Sequence, residues 1–232
     1  MVREESRALL KINLTQLIPP DRPVTTHPAV VKAAVTHLQN AGIDIAIGEG
    51  SGGSGWPLFR KMKKLIFNRL KNTMKGKKHE ELVAFYTYLT GVRSFDELLH
   101  LSVGECDAPL FSMDNVGIET EIDFYTKTGI KEVAEQTGAD LRYFDIESVV
   151  ETPSPTGKFL RTIPVCRSAS AGPRCISMAK FKTHEDMGVT GAIKNCFGII
   201  PTPLRGPFHG ASLLAGMMGE MLVDIFSALS PV

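Results

Sequence analysis

Two short apolar runs joined by a helix-forming stretch of crossover length most constrain what this chain can fold into. Residues 9–14, Leu9-Leu10-Lys11-Ile12-Asn13-Leu14, read as a short strand, and Pro19-Pro20-Asp21-Arg22-Pro23 forbids its continuation as helix. Thr26-His27-Pro28 then opens a helix. Proline sits at a first-turn position, where its missing N–H has no helical partner to lose, and Val30, Val31, Ala34, Val35 and Leu38 recur at helical spacing. Asn40-Ala41-Gly42 ends the helix, and residues 43–48 form the next strand. Strand, helix and strand in this order make a β-α-β unit with parallel strands and a right-handed crossover. The expected fold class is therefore α/β, a parallel-type sheet flanked by helices.

The remaining chain divides around an interruption. Residues 1–55 and 126–232 read as one α/β domain, and residues 56–125 as an inserted, mostly helical segment that supplies a lid or a partner surface. Within the insertion, residues 59–74 form an amphipathic basic helix, with Arg60, Lys61, Lys63 and Lys64 beside Met62, Leu65 and Ile66. It reads as a solvated face over a small subdomain in preference to a membrane or nucleic-acid surface. Residues 79–88 and 94–100 are also expected to be helical. Beyond the insertion, residues 128–137 read as a helix closed by Gly138, residues 140–146 as a strand, residues 159–166 as an extended segment, and residues 174–179 as a further strand. Residues 211–229 form a long helix whose apolar stripe, including Met217, Met221, Leu222 and Ile225, belongs to the core.

Composition sends the search for function to a local patch. The chain has 232 residues, 43% apolar and 22% charged, with a net charge of +1, enough to bury a real core but with no global attraction for nucleic acid or membrane. Cys106, Cys166, Cys175 and Cys196 form no Cys-x-x-Cys pair, which fits reduced thiols in a cytoplasm and supplies no iron–sulfur motif. No signal peptide is visible, because Ala8-Leu9-Leu10 is broken at once by Lys11, and no run reaches transmembrane length.

The patch lies at residues 180–198. On the period-two pattern, Lys180, Lys182 and His184 leave the carboxyl end of the 174–179 strand on one face, and Thr190 caps a short helix carrying Lys194. Like charges this close repel by roughly 1 to 4 kcal/mol per pair, so a small anionic ligand is expected among them. Asn13 and the loop Gly50-Ser51-Gly52-Gly53 open on the same edge, where open α/β sheets place ligands. The run Gly50-Ser51-Gly52-Gly53-Ser54-Gly55 satisfies G-x-G-x-x-G, but it follows the second strand, and the basic stretch 71–78 stands where an acidic ribose partner would be. It is read as a ligand-facing loop that does not bind a nicotinamide dinucleotide. Two functions are compatible with the patch. In an enzyme, His184 acts as general acid/base or metal ligand while Lys182 and Lys194 stabilise an anion. In a binding module, the same cations hold a phosphorylated or carboxylated ligand, in the service of a redox partner. Asn195 is either a ligand contact or a structural amide, and His27 before Pro28 is a helix-opening residue.

Several of these motifs also carry a family resemblance. Lys180-x-Lys182-x-His184, followed by Thr190-Gly191-Ala192-Ile193-Lys194-Asn195-x-Phe197-Gly198, resembles the central signature of the prokaryotic family called "domain of unknown function 362". Lys11-Ile12-Asn13-Leu14, Thr25-Thr26-His27-Pro28 and Gly48-Glu49-Gly50-Ser51-Gly52-Gly53 fit the same pattern in order. The expected ligand-binding residues are thus Lys11, Asn13, Gly50, Gly52, Lys180, Lys182, Thr190 and Asn195, with His184 and Lys194 catalytic. The resemblance also implies a shortened chain, since such relatives begin earlier and continue into further strands. A sheet cut short exposes an edge and an apolar face, so self-association is expected. Many of those relatives carry ferredoxin-type cysteine runs, which are absent here. The order His184, Lys194, His209 is further similar to nickel-dependent lactate racemase. That likeness implies Lys194 as the attachment point of a nickel-pincer cofactor, His184 in proton or hydride chemistry and His209 on the metal. The racemase's early histidine-arginine pair has no counterpart in residues 48–55.

Overall fold

The structure, a computed structural model, describes residues 7–14, 18–50, 124–144, 147–154, 156–170, 174–184, 187–201, 205 and 216–229. Nearly all of the expected insertion lies outside the described residues, including its basic helix and both further helices, as do Gly52 and His209.

The leading β-α-β unit forms as the sequence predicts. It consists of β1 (Arg7–Lys11), α1 (Pro28–Asn40) and β2 (Asp44–Glu49), and the strands run parallel with Arg7 opposite Asp44 and Lys11 opposite Gly48. His27 does open the helix: its Nδ1 accepts the Ala29 N–H at 3.1 Å, satisfying a first-turn donor that would otherwise lack a partner. Next come α2 (Ile130–Thr137), closed by Gly138 at φ 69°, and β3 (Asp140–Tyr143), which pairs in parallel with β2. An antiparallel pair follows, β4 (Val149–Pro153) with β5 (Thr162–Cys166), then the single turn α3 (Arg167–Ser170) and β6 (Arg174–Ser177). β6 pairs in parallel with the free side of β1, which gives a four-stranded sheet of order β3-β2-β1-β6. The chain steps from β1 to β2 and β3 on one side and then returns to β6 on the other. Crossing directions thus reverse between β1 and β6, and the crevice outside their carboxyl ends is the place such sheets leave for ligands.

Helices cover both faces of this sheet, which is why β1 is apolar on both sides. Leu10, Ile45 and Ile47 pack with Val31 and Val35 of α1 and with Ile130 and Val133 of α2. Leu9 packs on the opposite face with Phe144, Ile163, Val165, Phe197, Ile199 and the helix α5 (Met218–Leu229). The sequence places the start of that last helix at residue 211, but Gly216 stands at φ 67°, outside helical geometry, and the helix begins at Met218. No described helix is long and apolar enough to cross a membrane.

The chain also departs from the expected course after β6. Residues 178–180 leave the sheet, and Lys182–His184 form β7 of a separate antiparallel hairpin with β8 (Gly188–Thr190). The last ladder bond runs from the Met178 N–H to the Lys11 carbonyl at 2.8 Å, and the Met178 carbonyl is taken by the Thr26 hydroxyl at 2.6 Å. Thr190, expected to cap a helix, ends β8 instead. Gly191 precedes the single turn α4 (Ala192–Asn195) without a side-chain cap bond, and a 3-10 turn, Cys196–Ile199, continues it. One turn aligns few peptide dipoles, so the helix end adds little positive potential there.

Asp224 of α5 carries an unusual share of the packing. Its buried carboxylate accepts three consecutive backbone N–H groups, from Lys158 at 2.9 Å and from Phe159 and Leu160 at 2.7 Å each, and so pins the β4–β5 connection to the last helix. Bonds to a charged acceptor contribute about 1.5 to 3 kcal/mol each. Asp224→Ala is expected to lower unfolding free energy by at least about 3 kcal/mol in urea titration and to speed amide exchange at residues 158–160 above that of α1.

Candidate functional site

A lysine without solvent lies at the centre of the crevice. Lys11 ends β1 on the same alternating face as Leu9 and is 0% exposed, and an ammonium there is tolerable only if paired and fully bonded. Its Nζ donates to Glu49 Oε2 at 2.6 Å, to the Ile12 carbonyl at 2.7 Å and to Asn195 Oδ1 at 3.2 Å. Those three bonds use an ammonium's full donor capacity. Glu49, at the end of β2, is as well satisfied: it accepts the Gly50 N–H at 2.9 Å and the Leu14 N–H at 3.4 Å, with Arg205 Nη2 3.8 Å away. Tyr125 fixes its backbone, the phenol oxygen accepting the Glu49 N–H at 2.7 Å.

Hydrogen bonds lead outward from this pair. The buried Asn195 amide donates to the Lys11 carbonyl at 2.9 Å and to Ser177 Oγ at 3.1 Å, and its oxygen accepts from both Lys11 and Asn13 Nδ2, the latter at 3.3 Å. Asn13 is held by Thr26 through two bonds and offers Oδ1 to Lys182 Nζ at 2.9 Å. Lys182 also donates to the Val24 carbonyl at 2.6 Å. One residue on, Thr25 is 2% exposed and its hydroxyl has no hydrogen-bond partner. The series Glu49, Lys11, Asn195, Asn13, Lys182 thus runs from the interior to the half-buried rim.

The structure brings Lys11, Asn13, Lys182 and Asn195 into direct contact. Gly50 joins them through its bond to Glu49, while Lys180 lies half-buried between β6 and β7. Strand alternation keeps Lys182 and His184 on the inward face of β7, with the intervening Thr183 exposed, and Thr190 stands opposite Lys182 in the hairpin. Lys194 lies on α4 with its Nζ 5.5 Å from the centre of the Phe197 ring, within cation–π reach. Sequence reasoning did not single out Glu49, Thr26, Ser177, Gly198 or Arg205. For Glu49 a signal was present, a carboxylate ending an otherwise apolar strand. Thr26 and Gly198 lie within motifs quoted for the family resemblance, whereas Ser177 and Arg205 carry no local signal.

Gly198 shows how closely this region is packed. A Cβ there would lie 2.3 Å from Glu49 Oε1 and 2.7 Å from Lys11 Nζ, so the last residue of the Lys-Asn-x-Phe-Gly run roofs the ion pair, and a methyl group has no room. The Gly198 carbonyl in turn accepts Arg205 Nη2 at 2.6 Å.

Electrostatics separates the groups by environment. Burial lowers the Lys182 amine to about 8, with Glu49 opposing the shift and Lys180 adding to it. Burial pushes the Cys166 and Cys175 thiols up to about 12 and raises Cys196, so none of the three is a thiolate nucleophile near neutral pH. Among the described residues no group of three histidine, cysteine or carboxylate side chains is placed to hold a metal.

Two outcomes follow from this geometry. Gly198→Ala is expected to cost about 3 to 5 kcal/mol in chemical denaturation, as for a broken buried pair, and Lys11→Met, which strands Glu49, should fall in the same range. Lys182 should acylate with an apparent midpoint near pH 8, gaining reactivity as its amine deprotonates between about pH 7 and pH 9. Site-resolved competitive labelling by mass spectrometry reads that midpoint.

A family model described as "Domain of unknown function (DUF362)" matches residues 8–84 and 92–232, and the chain belongs to that family. No curated protein and no solved structure matches it.

Proposed function

Within that family, we propose that this chain binds a small anionic molecule, bearing a carboxylate or phosphate, in the crevice outside the carboxyl ends of β1 and β6. The observation that carries this reading is a charge imbalance. Among the described residues, Lys11, Lys182 and Arg205 gather around one carboxylate, Glu49, and Lys180 adds further positive potential beside Lys182. Glu49 is already saturated by Lys11 and by two backbone N–H groups, so its charge is spent inside the network. The surplus faces a place where open sheets take ligands.

In this reading Lys182, His184 and Lys194 meet the ligand, while Lys11, Asn13, Thr190 and Asn195 form the frame that holds them. Gly50, bonded to Glu49 at the end of β2, borders the crevice. His184 shares the inward face of Lys182, so a catalytic form of the same site would use its imidazole as the proton donor or acceptor.

Calorimetric titration with phosphate and with oxalate tests the reading. A charge-assisted contact is worth about 1.5 to 3 kcal/mol, so Lys182→Ala and Lys194→Ala should each weaken binding by at least about tenfold. Lys131→Ala, an exposed lysine paired with Glu135 on α2, should leave it unchanged. Equal losses in all three would mean diffuse attraction and remove the site.

A further inference from the structure

We propose that the Thr25 hydroxyl donates a hydrogen bond to an oxygen of the bound anion, which makes it a further ligand contact of the crevice. This inference rests on the anion site proposed above and deepens it, since a directional hydroxyl donor selects an anion that offers an acceptor oxygen.

The two threonines that follow Val24 are used differently. The Thr26 hydroxyl is engaged on both sides: it accepts the Asn13 N–H at 2.9 Å and donates to the Met178 carbonyl at 2.6 Å, tying together the residues that follow β1 and β6. Thr25 is 2% exposed, and among the described residues its hydroxyl is the one buried side-chain polar group with no hydrogen-bond partner. A buried hydroxyl left unbonded costs free energy that a valine of the same shape would not, so its presence calls for an acceptor.

The place of Thr25 in the chain says which acceptor. It shares a peptide with Val24, whose carbonyl accepts Lys182 Nζ at 2.6 Å, and it precedes the Thr26 N–H, which donates to the Asn13 carbonyl at 3.0 Å. Both bonds belong to the rim of the crevice outside the carboxyl ends of β1 and β6, where open sheets take ligands. Bonds on either side fix the backbone from Val24 to Thr26, so the donor is held in position before a ligand arrives and little ordering is lost on binding. An oxyanion at this corner takes attraction from the charge of Lys182 and direction from the hydroxyl of Thr25.

Calorimetric titration of the full chain with phosphate and with oxalate, on wild type, Thr25→Val and Thr25→Ser, tests the proposal together with urea unfolding of the ligand-free proteins. Thr25→Val should bind at least about tenfold more weakly, while Thr25→Ser, which keeps the hydroxyl, should recover most of the affinity. The urea midpoint of Thr25→Val should equal or exceed that of the wild type, because no internal bond is lost. A lowered midpoint would assign the hydroxyl to the fold, through a buried water, and overturn the proposal whatever the affinity. Unchanged affinity in Thr25→Val would overturn it equally. A measurement on the wild type depends on no variant: in threonine-labelled protein the Thr25 methyl resonance should move saturably with oxalate, and a resonance that stays still removes the contact. Binding lost in Lys182→Ala but kept in Thr25→Val would remove the contact and leave the anion site standing, whereas a wild type that binds neither phosphate nor oxalate would remove both.

Discussion

The buried contact between Lys11 and Glu49 is the constraint on which the rest of the structure depends. Two unit charges withdrawn from water are tolerable only with near-ideal geometry and every remaining donor and acceptor used, and the structure meets both conditions at 2.6 Å. Meeting them requires β1 and β2 to end in register, Asn195 to reach down from α4, and the 3-10 turn to pass close enough that Gly198 has no room for a side chain. An apolar pair of the same volume would be easier to bury. What the charged pair adds is directionality, since each partner accepts only a few arrangements of its neighbours.

That directionality is transmitted to the rim. Lys11 orients Asn195, Asn195 orients Asn13, and Asn13 holds Lys182. A flexible side chain with about 2 kcal/mol of rotamer entropy is thereby fixed at the mouth of a crevice. The same network divides labour between its lysines: the interior one balances a carboxylate, and the outer one is pressed toward neutrality by partial burial and a neighbouring cation. Such divergence between like groups is how one site assigns different chemical roles to identical side chains.

Placement at the reversal of strand order explains why these residues come from so many parts of the chain. The carboxyl ends of β1 and β6 are adjacent in space at the point where strand order reverses, the place where open sheets take ligands. Val24 to Thr26 enters that place after β1, Met178 to Lys182 after β6, and Asn195 to Gly198 closes it from α4.

The sequence by itself determined the elements that rest on local physics. Proline and histidine at the start of α1, helical spacing along it, and apolar runs on either side specified a parallel β-α-β unit. Period-two alternation specified that Lys182 and His184 share a face, even though they form a hairpin and not a prolonged β6. It also named Lys11, Asn13, Lys182 and Asn195, which the structure brings together. Only the tertiary structure decided their partners. Lys11 meets Glu49 across 38 positions of chain and Asn195 across 184, and Gly198 and Arg205 come up to the same carboxylate from another part of the chain. Pattern and propensity act over a few residues, whereas desolvation of a charge is settled by whatever the fold places within about 4 Å of it.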